Sequence, residues 1–182
     1  NNIDFFTIAS TGNATDFGDL NPGAFGQGGV TNGTRALFAG GGSYPDSDTY
    51  YTTIQTVDFN TTGNTTDFGD LSVGTQQNSG SGNGQGGLLS GVQRPSVTYM
   101  PGSGRVLFTG GQNPSVSTSI DMTMIKTKGN SSSFGTLATG MRSMSSASSL
   151  TRSLSAGGYG SDYTNAIRSV EFASQGNDSN FG

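Results

Sequence analysis

Four Gly-Asn pairs, Gly12-Asn13, Gly63-Asn64, Gly129-Asn130 and Gly176-Asn177, sit in a frame whose offsets never change. Nine residues before each Gly stands an Ile: Ile3, Ile54, Ile120 and Ile167. Five residues after it comes Phe followed by Gly: Phe17-Gly18, Phe68-Gly69, Phe134-Gly135 and Phe181 with the final Gly. Leu follows the Phe by three residues at Leu20, Leu71 and Leu137. Low-complexity sequence does not hold four identical offsets, so the frame specifies a repeated supersecondary unit. The residues three and five after the Ile are Phe6 and Ile8, Val57 and Phe59, Thr123 and Ile125, and Val170 and Phe172. Apart from Thr123 they are apolar, and this alternation is the period of a strand. The Gly-Asn pair tolerates positive φ, as a tight hairpin requires, and the stretch from Phe to Leu returns as a second short strand.

A second module alternates with the first. Arg35, Arg105 and Arg152 open "RALFAGG", "RVLFTGG" and "RSLSAGG". Each predicts a strand closed by Gly-Gly (Gly40-Gly41, Gly110-Gly111, Gly157-Gly158), where a side chain would obstruct close backbone packing or a sharp exit. From Leu to the next Arg is 15 residues in the first and third cases and 34 in the second. About 19 extra residues therefore fall within "SVGTQQNSGSGNGQGGLLSGVQRPS", read as a flexible insertion near 74–94. Glu occurs once and Lys only at Lys126 and Lys128, so good helix formers are scarce. Val, Ile, Thr, Phe and Tyr dominate what is not Gly or Ser, and the chain is expected to be all-β with almost no helix.

Four short strands in about 50 residues match a propeller blade better than a solenoid repeat. The expected organisation is a half blade at 3–20 and blades at 24–71, 72–137 (holding the insertion) and 141–182, the last truncated at its end. The chain opens on Asn1 and closes inside a repeat, which reads as a segment of a longer polypeptide. Ring closure would then come from further chain or from another subunit.

Arg-x-Leu-Phe-x-Gly-Gly followed by the Ile, Gly-Asn and Phe-Gly-x-Leu frame resembles the kelch-like repeats of structural proteins of tailed phages, notably marine cyanobacterial ones. The likeness covers nearly all of the chain. It implies a kelch-like β-propeller of four-stranded blades in a virion: a tail, fibre or capsid-surface component, without cofactor. Its partners would be other virion proteins, further copies of itself, and host-surface glycan. Ser133 and Thr136 stand where the first two copies carry Asp, and the Trp of ordinary cellular kelch blades is absent.

The remaining chemistry is narrow. With no Cys and no His, thiol nucleophiles and the usual neutral-pH base are missing, and any metal site would need oxygen ligands. A formal charge of −4 argues against nucleic-acid binding. No apolar run approaches the ~20 residues of a membrane-spanning helix. Asp16-Phe17-Gly18 and Asp67-Phe68-Gly69 share three letters with the magnesium-binding triplet of protein kinases, but the other kinase motifs are lacking. Asp16/Asp19 and Asp67/Asp70, three apart, fall on opposite faces of a regular strand and read as solvated or turn-side groups. Gly82, Gly84 and Gly87 match a dinucleotide fingerprint without its strand and helix.

Arg35, Arg105 and Arg152 recur at one blade position, either locking neighbouring blades together or lining a channel. Partner contact is expected from the loop at 41–51, with Tyr44, Tyr50 and Tyr51, and from Gln76 and Gln77 in the 74–94 loop. The sequence thus predicts a non-enzymatic virion scaffold. A carbohydrate-binding or carbohydrate-degrading propeller is the alternative, and a cellular kelch-type adaptor ranks behind both.

Overall fold

The computed structural model describes residues 1–43, 49–84 and 104–182. The chain is all-β, with no helix among the described residues. An N-terminal hairpin pairs β1 (Asn2–Phe5) with β2 (Thr15–Asp19). The first four-stranded sheet is an antiparallel meander of β3 (Gly28–Thr31), β4 (Arg35–Ala39), β5 (Thr53–Asp58) and β6 (Thr66–Asp70). The second joins β7 (Ser79–Gly82), β8 (Arg105–Thr109), β11 (Ser119–Met124) and β12 (Ser132–Thr136). A small ribbon of β9 (Gln112–Asn113) and β10 (Ser115–Val116) branches from it. The third holds β13 (Ser145–Ser148), β14 (Arg152–Ala156), β15 (Ile167–Glu171) and β16 (Ser179–Asn180).

The register repeats as faithfully as the sequence. Arg35 faces Asp58, Arg105 faces Met124 and Arg152 faces Glu171; four residues further on, Ala39, Thr109 and Ala156 face Ile54, Ile120 and Ile167. A β-bulge follows the Ile in the hairpin and in the first two sheets. Ile54 pairs with Gly69 while Gln55 pairs with Asp67, so Phe68 is the extra, unpaired residue; Phe17 and Phe134 hold the same position. A bulge redirects a side chain locally, and here the redirected ring enters the core: Phe68 and Phe134 are 1% and 2% exposed.

The cores lie between sheets. One cluster takes Leu37, Ile54, Phe68 and Leu71 from the first sheet and its exit with Val106, Phe108 and Ile125 of the second. The other takes Leu107, Ile120, Phe134 and Leu137 with Met141, Met144, Val170 and Phe172 of the third. Within β8 alternate residues go to opposite cores, which is how a strand buried on both faces must be built.

The insertion is placed differently from the sequence expectation. Ser79–Gly82, read as flexible, is the first strand of the second sheet, and Ser79 and Ser81 are buried. It lies beside β3 and β13; Ser79 Oγ meets Ser146 Oγ of β13 at 2.6 Å, and Ser81 Oγ meets Ser153 Oγ of β14 at 2.7 Å. Small residues suit this line because backbones converge along it; a Cβ on Gly80 would lie 2.5 Å from the Gly29 carbonyl oxygen. The added length falls between β7 and β8, where residues 85–103 lie outside the described residues.

Candidate functional site

The sequence reading made Gly-Asn the turn of its own hairpin. The structure closes the hairpins earlier, where the Thr61 and Thr127 amides donate to the Asp58 and Met124 carbonyls, and each of the last three Gly-Asn pairs instead reaches across to the preceding sheet. The amides of Gly63, Gly129 and Gly176 donate to the carbonyls of Phe17, Phe68 and Phe134 at 2.7, 2.9 and 3.0 Å. The side-chain oxygens of Asn64, Asn130 and Asn177 accept from the amides of Asp19, Asp70 and Thr136 at 3.0, 3.1 and 3.0 Å. The next residues, Thr65, Ser131 and Asp178, donate their amides to the carbonyls of the same three partners. This ladder explains the glycine of Phe-Gly: a Cβ on Gly18, Gly69 or Gly135 would lie 2.2, 2.3 or 1.9 Å from the carbonyl oxygen of Gly63, Gly129 or Gly176.

A second tie accompanies the first. The residue after the Ile meets the residue after the Asn, and together they receive the amide that follows the preceding Leu. In the first sheet Thr65 donates to Gln55, whose Oε1 also accepts from the Asn21 amide at 2.7 Å. In the second, Ser131 donates to Asp121, which accepts from the Ser72 amide at 2.7 Å. In the third, Arg168 pairs with Asp178 at 2.9 Å, and Asp178 accepts from the Ala138 amide at 2.7 Å. The three use a neutral pair, a single acid and an ion pair for one job, so residue identity alone did not reveal them. The position after the Ile was the available signal.

Arg35 extends to the next sheet and donates from Nη1 to the carbonyl of Ile125 at 3.3 Å; Arg105 reaches the carbonyl of Phe172 in the same way. Arg152 pairs within its own sheet, with Glu171, and lies 5.8 Å from the Phe181 ring. The Gly-Gly corners bring neighbouring sheets together at the other end. All six glycines have positive φ between 66° and 104°, and the Gly41 and Gly111 amides donate to Thr75 and Met141 at 2.7 and 2.8 Å.

The acidic candidates are dispersed. Asp67 faces Lys128 at 3.9 Å in solvent, and Asp70 accepts from the Thr52 hydroxyl. No group of three or more His, Cys, Asp or Glu side chains converges on a metal-sized site among the described residues. The Asn60 backbone amide, then its side chain, and the more distant Arg35 charge hold the Asp58 carboxyl below its usual range.

Gln76 and Gln77 correct the expectation of a displayed loop. Gln76 is buried and pairs across to Gln112, while Gln77 has φ 57° and accepts from Arg142 Nη1 at 2.7 Å. They fill the seam between sheets rather than facing a partner. Tyr50 and Tyr51 are half-buried beside the first Gly-Gly corner, and Tyr44 lies outside the described residues. An unanticipated cleft is lined by Arg142, Ser143, Gly158, Tyr159 and Tyr163. Arg142 stacks 5.1 Å from the Tyr159 ring, and Tyr163 stands edge-on to Tyr159 while remaining 84% exposed.

Fold and contacts together define an all-β protein of successive antiparallel four-stranded sheets stitched by a recurring backbone lock. No protein-family model matches the chain, and no curated protein matches it.

Proposed function

We propose that the stacked sheets are blades of a kelch-like β-propeller, and that the chain is a non-enzymatic structural component of a tailed-phage virion. The carrying observation is the lock itself, made three times with the same atoms between successive sheets. Building many equal units with one rigid junction suits a display scaffold. The first strands β3, β7 and β13 lie side by side, as inner strands of blades around an axis would. On this reading the protein sits on the extracellular particle and contacts other virion proteins. The test is immunolabelling of intact phage particles with antibodies raised against the chain. Labelling at a fixed place on the tail, fibre or capsid surface is expected, and particles without the antigen would contradict it.

The second reading, a carbohydrate-binding propeller, is favoured by the Arg142–Tyr159–Tyr163 cleft. Exposed aromatic faces beside a guanidinium suit sugar rings and their acidic substituents. Host-surface glycans bound by the wild-type chain and not by Tyr163→Ala would carry this reading; equal retention of both chains, or of neither, would remove it.

A further inference from the structure

The backbone bridges at the Gly-Gly corner are the same in all three sheets, but the side chains on them are not. In the first sheet they join Phe25, Gly42 and Tyr50, and in the second Gln76, Gln112 and Val116. In the third they join Arg142, Tyr159 and Tyr163. The bridges belong to the fold, whereas the cation and its two rings belong to the third corner alone. A neighbouring sheet does not close such a corner. The segment leading into the second sheet passes so near that a Cβ on Gly74 would lie 2.4 Å from the Tyr50 carbonyl oxygen, yet Tyr50, the counterpart of Tyr163, is only half-buried.

Arg142 is held from two sides. Its Nη1 donates to Gln77 Oε1 at 2.7 Å, and its guanidinium lies 5.1 Å from the centre of the Tyr159 ring. Nε and Nη2 have no partner among the described residues, and no carboxylate there pairs with the charge. Asp162, beside Tyr163 in the chain, accepts from the Tyr163 amide instead. The backbone adds an independent sign. The position of Gln77 is left-handed in every sheet, with φ 67° at Gly26 and 57° at Gln77 and Ser143. Gly would adopt it without strain, so side chains retained there have a use. Gln77 orients Arg142. Ser143 is exposed in the cleft, and its hydroxyl has no partner among the described residues.

Taking the carbohydrate-binding reading of this cleft as our basis, we propose that its ligand is a sugar bearing a carboxylate, a hexuronate residue of an acidic polysaccharide. With Nη1 engaged, Nε and Nη2 form the free planar edge of the guanidinium. Two parallel N–H groups on such an edge match the two oxygens of a carboxylate. Tyr163 is 84% exposed and stands edge-on to Tyr159 with centroids 5.2 Å apart, which leaves its ring face for the apolar face of the sugar. The Ser143 hydroxyl takes a sugar hydroxyl. A neutral sugar would stack in the same way but leave the guanidinium edge without its anion.

The probes are a short oligogalacturonate and its methyl ester, each titrated by NMR into the isotopically labelled full chain. The acid should give saturable shifts of the Arg142 Nε signal and of the Tyr159 and Tyr163 rings. The ester keeps the sugar ring and removes the charge, and it should bind about tenfold more weakly or worse, as loss of a charged hydrogen bond implies. Arg142→Gln should bind acid and ester alike. Gln77→Gly removes the orienting oxygen while relieving the left-handed conformation, so it should fold normally and lose several-fold of the preference for the acid. Equal binding of acid and ester by the wild-type chain, or a preference that survives Arg142→Gln, overturns the carboxylate assignment and leaves sugar binding in place. Binding of neither probe also overturns it. Retention of host-surface glycans by the wild-type chain and not by Tyr163→Ala then decides separately whether the broader carbohydrate reading falls as well.

Discussion

The N-terminal hairpin and the second sheet carry the same Ile, Gly-Asn and Phe-Gly frame, yet they meet different surroundings. Phe134 is enclosed, whereas Phe17 is half-buried and leans edge-on against Phe5 with centroids 6.0 Å apart. The Gly129 amide donates to the Phe68 carbonyl of the preceding sheet, whereas the Gly12 amide has no such acceptor among the described residues. At the far end Phe181 is 52% exposed although its frame is unchanged. The motif therefore does not bury itself. Its ring is enclosed only where its own sheet has four strands and another sheet follows, as at Phe68 and Phe134. This is the nearest-neighbour logic of a repeat protein, in which stability resides largely in the junctions.

The sharpest way to break the comparison is truncation of the bulged ring. Phe134→Ala should cost about 3–5 kcal/mol, in the range of buried Phe deletions. Phe17→Ala should cost clearly less, and denaturant unfolding of the two variants measures the gap. The buried ion pair comes next. Asp178→Ala strands Arg168, whose side chain is 16% exposed, and should cost about 3 kcal/mol or more. Glu171→Ala, which frees the half-exposed Arg152, should cost about 0–1 kcal/mol by the same assay. Smaller again is Asn130→Ala, which removes one hydrogen bond between sheets and should cost about 1 kcal/mol. Asn13→Ala should leave the midpoint unchanged.

The smallest effect is a pH dependence at Asp58. Its carboxyl is held below the usual aspartate range, so its contribution is complete above that range and disappears as pH falls through the lowered value. Asp58→Asn should flatten that acid limb slightly in pH-dependent melting, without shifting the neutral-pH midpoint by much.

The units were legible in the sequence because their spacing is rigid where strands and turns are rigid. Alternating residues after Ile54 and Ile167 gave the strands, and the scarcity of helix formers gave the class. Periodicity reports which face of a strand is apolar and not what covers it, so the reach of Asn64 to Asp19 was hidden. Strand β7 was hidden for another reason. "SGSG" has no hydrophobic signal, and its burial follows from close approach to Gly29 and Ser153. Gln76 and Gln77 looked like loop residues because amides favour surfaces, but here the Gln76 backbone bridges to Gln112 and the Gln77 side chain accepts from Arg142. The Arg168–Asp178 pair escaped notice because each sheet solves that position with different chemistry.

Amide hydrogen exchange at the four repeat glycines tests the central claim most directly. The amides of Gly63, Gly129 and Gly176 donate to the preceding sheet, while that of Gly12 has no such acceptor among the described residues. Residue-resolved exchange should show Gly63, Gly129 and Gly176 strongly protected and Gly12 exchanging near the rate of an open chain. Equal rates at all four would contradict the lock between sheets.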